Sequence, residues 1–193
     1  MNSIKYQYAR KENDEIVHIN DIFPEERHLY KYHCIGCGAE MVPRLGKINT
    51  HHFAHRSDQL SCSSESYLHK LAKILIKKKF DLGIPFEIKI KQTIECSDAT
   101  VCVFHDRLCC KQENERLFNL RELYDTCSAE TEVDGFIADL LLTNSRNPDR
   151  APVLIEIMVT HKCSEQKMAS GYRIIEIPIK DEKDIKDILE MPL

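Results

Sequence analysis

No stretch of this 193-residue chain approaches the roughly 18 consecutive apolar residues of a membrane-spanning helix. Its first residues, MNSIKYQYARKENDE, lack the apolar centre of a secretory signal. Both absences point to a cytoplasmic protein with no membrane partner. Positive charge is not in excess either: 27 Lys and Arg stand against 31 Asp and Glu, a formal net charge of −4. Proteins that bind nucleic acid mainly by neutralising phosphate are basic. Any DNA contact therefore has to come from a local patch such as Lys70, Lys73, Lys77, Lys78 and Lys79. The plain alternative for that run is a solvated helix face. Repeats and low-complexity segments are absent, and a chain that is 42% hydrophobic and 30% charged can bury a core.

An even set of cysteines is missing too. There are nine, and no export signal accompanies them, which argues against a disulfide framework. In a reducing compartment, clustered cysteines more often hold metal.

The first 60 or so residues are polar and turn-rich. Short strands are expected at 6–9 and 16–19 around the turn KENDE, and another at 28–33 leading into CIGC. A hairpin is expected from 41–45 and 48–54 around Gly46-Lys47. A helix follows, capped by Ser63 or Ser64, with Leu68, Leu71, Ala72 and Leu75 on one face and Gly83 and Pro85 ending it. Residues 86–94 alternate as a strand. Residues 95–132 break the pattern and read as a Cys-rich insertion with a short helix near 117–124.

The last third is regular. FIADLLL (136–142) and VLIEIMV (153–159) are near-continuous apolar runs, suited to strands buried on both faces. A short helix over 162–170 ends at Gly171, and a strand (172–179) and a terminal helix (181–189) follow. The expected class is α+β (α/β). A small β-rich module (1–62) precedes a core (63–193) of order helix, strand, strand, strand, helix, strand, which is the order of the PD-(D/E)XK nuclease core.

Asp139 and Glu156 interrupt the two apolar runs. An unpaired buried carboxylate costs several kcal/mol, so it acquires a partner, a proton or a metal. If the connecting loop turns at Asn147-Pro148, position 139 lies opposite 156, and two like charges there repel unless a cation intervenes. Oxygen ligands suit Mg²⁺ or Mn²⁺. The alternative is an acid paired with Lys or Arg. On the helix, Glu65, His69 and Lys73 recur every four residues as a polar stripe that borders the apolar face. It either reaches the sheet carboxylates or is a surface ladder.

Cys34-Ile35-Gly36-Cys37 is a CxxC knuckle, followed by His51-His52-Phe53-Ala54-His55 and then Cys62. That grouping fits a structural zinc site: Cys34 and Cys37 with two of His52, His55 and Cys62. A redox role for the CxxC lacks the βαβ context it needs. A segment this small needs a metal staple. Cys96, Cys102, Cys109 and Cys110, with His105 nearby, form a second, irregular cluster that suggests a further zinc, whereas Cys127 and Cys163 read as buried thiols.

Taken together, CIGCGAEMVPRLGKINTHHFAH, ESYLHKLAK, FIADLLL and VLIEIMVTH, in that order between about residues 30 and 175, resemble the competence protein CoiA-like family of bacteria. The resemblance implies a zinc-finger-like segment followed by a PD-(D/E)XK nuclease core, with a role in DNA uptake or recombination. It would make Asp139 and Glu156 the acids of a Mg²⁺ or Mn²⁺ site. Glu65, His69 and Lys73 would be the helix-borne members, DNA the partner, and recombination or defence proteins further partners. One departure stands out. The signature has Lys or Gln two residues after the Glu, and this chain has Met158. Lys73 is the expected substitute, with Lys162 and His161 in reserve. A degenerate, non-catalytic DNA-binding adaptor is the alternative, and a structural interaction module with salt-bridged acids is a third.

Overall fold

The computed structural model describes residues 6–57, 62–95, 101–104 and 111–190. The first unit is a five-stranded sheet of order β2-β1-β3-β4-β5. Its strands are β1 (Tyr8–Lys11), β2 (Ile16–His18), β3 (Tyr32–His33), β4 (Glu40–Arg44) and β5 (His52–His55). All neighbours are antiparallel. Residues 28–30, expected as strand, are turn and bend instead, and the strand begins only at Tyr32.

The long helix α1 (Ser64–Asp81) comes next. Ser63 Oγ accepts the Ser66 amide as its N-cap, a bond worth about 1 kcal/mol. Leu68, Leu71, Ala72, Ile76 and Phe80 are buried at helical spacing. Gly83, at φ 72°, donates to the Phe80 carbonyl as the chain leaves the helix.

The central sheet has order β11-β10-β9-β8. It comprises β8 (Thr126–Val133), β9 (Phe136–Thr143), β10 (Val153–Met158) and β11 (Arg173–Pro178). The first three are antiparallel, and β11 runs parallel to β10 after the short helix α3 (Glu165–Met168). The helix α4 (Glu182–Glu190) closes the described chain and packs on α1. The class is α+β.

Two strands fall inside 95–132, the segment read from the sequence as an insertion. One is β8 itself; the other is β7 (Lys111–Asn119), which pairs with β6 (Glu87–Glu95) as a separate two-stranded ribbon. The strand expected at 86–94 therefore exists but lies outside the central sheet, and β8 occupies the place expected for it. The reason is physical. A sheet-edge strand and a ribbon bury little on one side, so TCSAETEV and KQENERLFN need no apolar run. A single turn of helix, α2 (Leu120–Leu123), joins them.

The inner strands of the central sheet are covered on both faces. Leu140, Leu142, Val153, Ile155 and Ile157 join the core beneath α1, while Ala138, Leu141 and Leu154 form a second cluster with Val133, Tyr172 and Ile174. The first core is continuous with Tyr6, Ala9, Tyr32 and Phe53 of the N-terminal sheet. Tyr67 of α1 is the pivot: it packs edge-on to Tyr6, and its hydroxyl donates to half-buried Glu182 of α4. Glu182 also accepts the Gln7 amide at 2.9 Å. Burial raises the pKa of Glu182, with the Tyr67 and Gln7 bonds acting against that rise. Among the described residues no helix is long and apolar enough to cross a membrane.

Candidate metal centres

Cys34 and Cys37 sit on a tight turn between β3 and β4. Gly38, at φ 74°, lets its amide return to the Cys34 carbonyl at 2.8 Å, while the Cys34 amide donates to Ala39 O. Gly36 lies against the backbone of Tyr67, where an added Cβ would come within 3.0 Å of Tyr67 Cα. Lys70 donates to the Gly36 carbonyl at 2.8 Å, so the turn is fastened to α1.

β5 brings His55 to this turn, and Cys62 arrives one residue before the cap of α1. The ligand atoms of Cys34, Cys37, His55 and Cys62 all lie within 4.8 Å of one another. Cys34 Sγ and Cys62 Sγ are 3.6 Å apart, and Cys37 Sγ and His55 Nε2 are 3.3 Å apart. A tetrahedral zinc with Zn–S of about 2.3 Å and Zn–N of about 2.0 Å spans edges of about 3.8 Å and 3.5 Å. The four side chains fit zinc. Cys34 is buried, which pushes its thiol up to about 12 and keeps it protonated until a metal displaces the proton.

Of the five residues considered from the sequence, His52 is the one outside the group. It points away along β5, with Nδ1 2.8 Å from the Thr50 carbonyl. Of the second cluster, Cys96, His105, Cys109 and Cys110 lie outside the described residues; Cys102 lies within them as a free thiol.

The second constellation lies where β9 and β10 diverge. Their pairing, Leu142↔Val153 through Leu140↔Ile155, carried one residue further puts Asp139 opposite Glu156. Backbone pairing gives way there, and Asp139 Oδ2 accepts the Ile157 amide at 2.9 Å. Side-chain alternation also slips. Leu140 faces the α1 side and Ala138 the other, yet Asp139 reaches α1 as well. Across from Asp139 on β8, Glu130 has φ 49°, a left-handed backbone rare for a non-glycine residue.

Asp139 Oδ2 is 3.0 Å from His69 Nε2, and Oδ1 is 3.5 Å from Lys73 Nζ. Lys73, a buried lysine, also pairs with Glu130 at 2.7 Å. Glu65, one turn earlier on α1, accepts the hydroxyl of Thr160 just beyond β10. Glu156 has a partner that sequence reasoning missed: Lys167 Nζ on α3, 2.6 Å from Oε1. Oε1 is buried, and the contact is an ion pair by distance.

Burial would raise both acids. For Asp139 the His69 bond, the Ile157 amide and the nearby charges outweigh it, and the pKa falls below the usual carboxylate value. For Glu156 burial outweighs Lys167, helped by repulsion from Asp139, and the pKa rises. Among the described residues the Cys₃His set is the one group of three or more metal-type ligands brought together; the two interacting carboxylates, pushed in opposite directions, could share a small oxygen-seeking divalent cation. A cation held there would compete with Lys167 for Glu156 Oε1.

Much of the basic run on α1 is engaged within the chain, while Lys78 is exposed. Lys70 holds Gly36, Lys73 holds the acids, Lys77 pairs with Asp81, and buried Lys79 donates to Ile188 O of α4. A cavity of about 600 Å³ beside Tyr8, His18, Tyr67 and Glu182 touches none of the five acid-site candidates.

Residues 21–65 match the family model described as competence protein CoiA, N-terminal domain. All four residues of the Cys₃His group fall within that match. No curated protein and no solved structure matches the chain.

Proposed function

We propose that this chain is a CoiA-like, metal-dependent DNA nuclease acting in DNA uptake, recombination or defence, with a structural zinc in its N-terminal module (1–62) and a PD-(D/E)XK-type core (63–193). The observation that carries this reading is the register that sets Asp139 opposite Glu156 at the divergence of two buried strands, with His69 and Lys73 of α1 on Asp139 and Glu65 of the same helix on Thr160 just beyond β10.

Held by Asp139 and Glu156, Mg²⁺ or Mn²⁺ would supply charge neutralisation at the scissile phosphate and an acidified water. The rest falls to this chain's own residues. With Nε2–H given to Asp139, His69 keeps a lone pair on Nδ1 and takes the proton lost by the attacking water. The water oxygen bonds to phosphorus as the P–O bond to the departing nucleotide breaks, and the departing oxygen collects a proton from solvent. Glu65 orients the water, and Thr160 steadies Glu65. The His69 bond and the Ile157 amide, with Lys73 nearby, hold Asp139 ionised. DNA is positioned through backbone contacts that carry little sequence information.

A second reading has its own observation. Met158 stands at the signature position, and each sheet acid has a basic partner already. On that reading the fold binds DNA without cutting it. The two are separated by DNA cleavage with Mg²⁺ or Mn²⁺ and its loss in EDTA. Binding without cleavage, indifferent to metal, favours the adaptor.

A further inference from the structure

The signature position beside Glu156 holds Met158, yet the acid is not without a cation. Lys167 reaches it from α3, the helix after the strand. The Lys167 side chain is only 8% exposed, with Nζ 2.6 Å from Glu156 Oε1 and 2.6 Å from the Ile137 carbonyl of β9. A lysine is buried to that extent only where its charge is matched. Side chains two residues apart on a strand share a face, so a lysine at 158 would present its ammonium beside Glu156. Lys167 presents the same group at the same acid from the other direction. The alternatives are engaged or absent: Lys73 is held by Glu130 and Asp139. Neither Lys162 nor His161 pairs with either acid among the described residues.

We propose that Lys167 is a catalytic residue, the cation of the carboxylate site, taking the part that residue 158 cannot. The proposal rests on the nuclease reading above. In the resting chain Lys167 offsets the charge of Glu156. With a divalent cation held at the site, the Lys167 ammonium would be free to turn from Glu156 toward the phosphate and to offset the charge that develops as the P–O bond breaks. Hydrolysis adds one water across the P–O bond, and no proton passes through the lysine. Ser164, which caps α3 by accepting the Lys167 amide at 3.3 Å, fixes the start of the helix that delivers it.

The test uses the full zinc-loaded chain with Mn²⁺, a DNA cleavage assay, Mn²⁺ titration calorimetry and a thermal melt. Lys167→Met is expected to lower kcat by about 100-fold, the usual size of a lost charge-stabilising donor, while Mn²⁺ binds as tightly or more tightly because its competitor is gone. Adding Met158→Lys to that variant is expected to restore at least about a tenth of the wild-type rate. A purely structural lysine would not be replaced from the other side of the acid in this way. If Lys167→Met does not fold, Lys167→Gln, which keeps a donor for Ile137 O, is read in its place with the same expectations. A folded Lys167→Met or Lys167→Gln that cleaves like wild type overturns the assignment and leaves the nuclease reading standing. A double variant that folds, binds Mn²⁺ and stays inactive also overturns it. A wild-type chain that neither binds Mn²⁺ nor cleaves removes the nuclease reading and the assignment together.

Discussion

The amide of Ile157 donates to Asp139 Oδ2 at 2.9 Å, so an acid on β9 grips β10 one residue beyond the glutamate it opposes. This bond replaces a backbone acceptor at the point where the two strands part, and it leaves the other carboxylate oxygen to Lys73. The divergence of the strands and the orientation of the acid are therefore one event. Asp139→Asn keeps the shape but weakens the hold on His69, Lys73 and Ile157. A loss of about 1–3 kcal/mol in unfolding free energy is expected, read by urea denaturation. An unchanged midpoint would contradict the described pairing.

The zinc centre has a sharp internal control. One zinc per chain is expected by metal analysis. His55→Ala or Cys62→Ser should lose it and lower the melting temperature, because Cys62 leads directly into the cap of α1. His52→Ala should keep the metal, since that ring turns to Thr50. Zinc loss in His52→Ala with retention in His55→Ala would reverse the ligand assignment.

Much of this was legible in the sequence, for physical reasons. The CxxC turn, the α1 periodicity and the register of Asp139 against Glu156 are local or arithmetic, and the chain encodes them directly. The strand β8 was not legible, because an edge strand buries one face weakly and TCSAETEV carries two acids. Lys167 was hidden for another reason. It is one lysine in a four-residue helix, and its partner is set by how α3 packs after β10, not by any spacing. Glu130 was missed likewise, since its pairing with Lys73 depends on that same unread strand. The partners within the basic run were not legible either, because lysine can be a buried hydrogen-bond donor, as Lys79 is to Ile188 O of α4.

The two sheet acids give the centre a pH signature. Asp139 is held below the usual carboxylate value, so the stability it contributes is present above its unfolded pKa and is lost as the pH falls through the folded one. Glu156 is raised, so its contribution is present below its unfolded pKa and is lost as the pH rises through the folded one. Metal needs both ionised, and Glu156 is the later to ionise. Mn²⁺ affinity is expected to climb with pH through a midpoint above the ordinary glutamate value of about 4.3. Calorimetric titrations across that range check it; an affinity independent of pH would count against Glu156 as a ligand.

The two units are joined by a half-buried polar link, Tyr67 and the Gln7 amide on Glu182. Tyr67→Phe leaves that carboxylate short of a donor and is expected to cost about 1–3 kcal/mol. Hydrogen exchange should show the loss at the β1 amides and at the start of α4 together. Loosening confined to one of them would mean that the link does not couple the units.

The most direct test of the nuclease reading is cleavage of single- and double-stranded DNA in Mn²⁺ by the zinc-loaded chain beside Glu156→Ala, with both proteins shown to be folded and equally zinc-loaded. Cleavage by the wild-type chain that disappears in the variant and in EDTA is the expected result. DNA binding by both proteins with cleavage by neither would contradict it, and would make Met158 the mark of a nuclease fold that only binds.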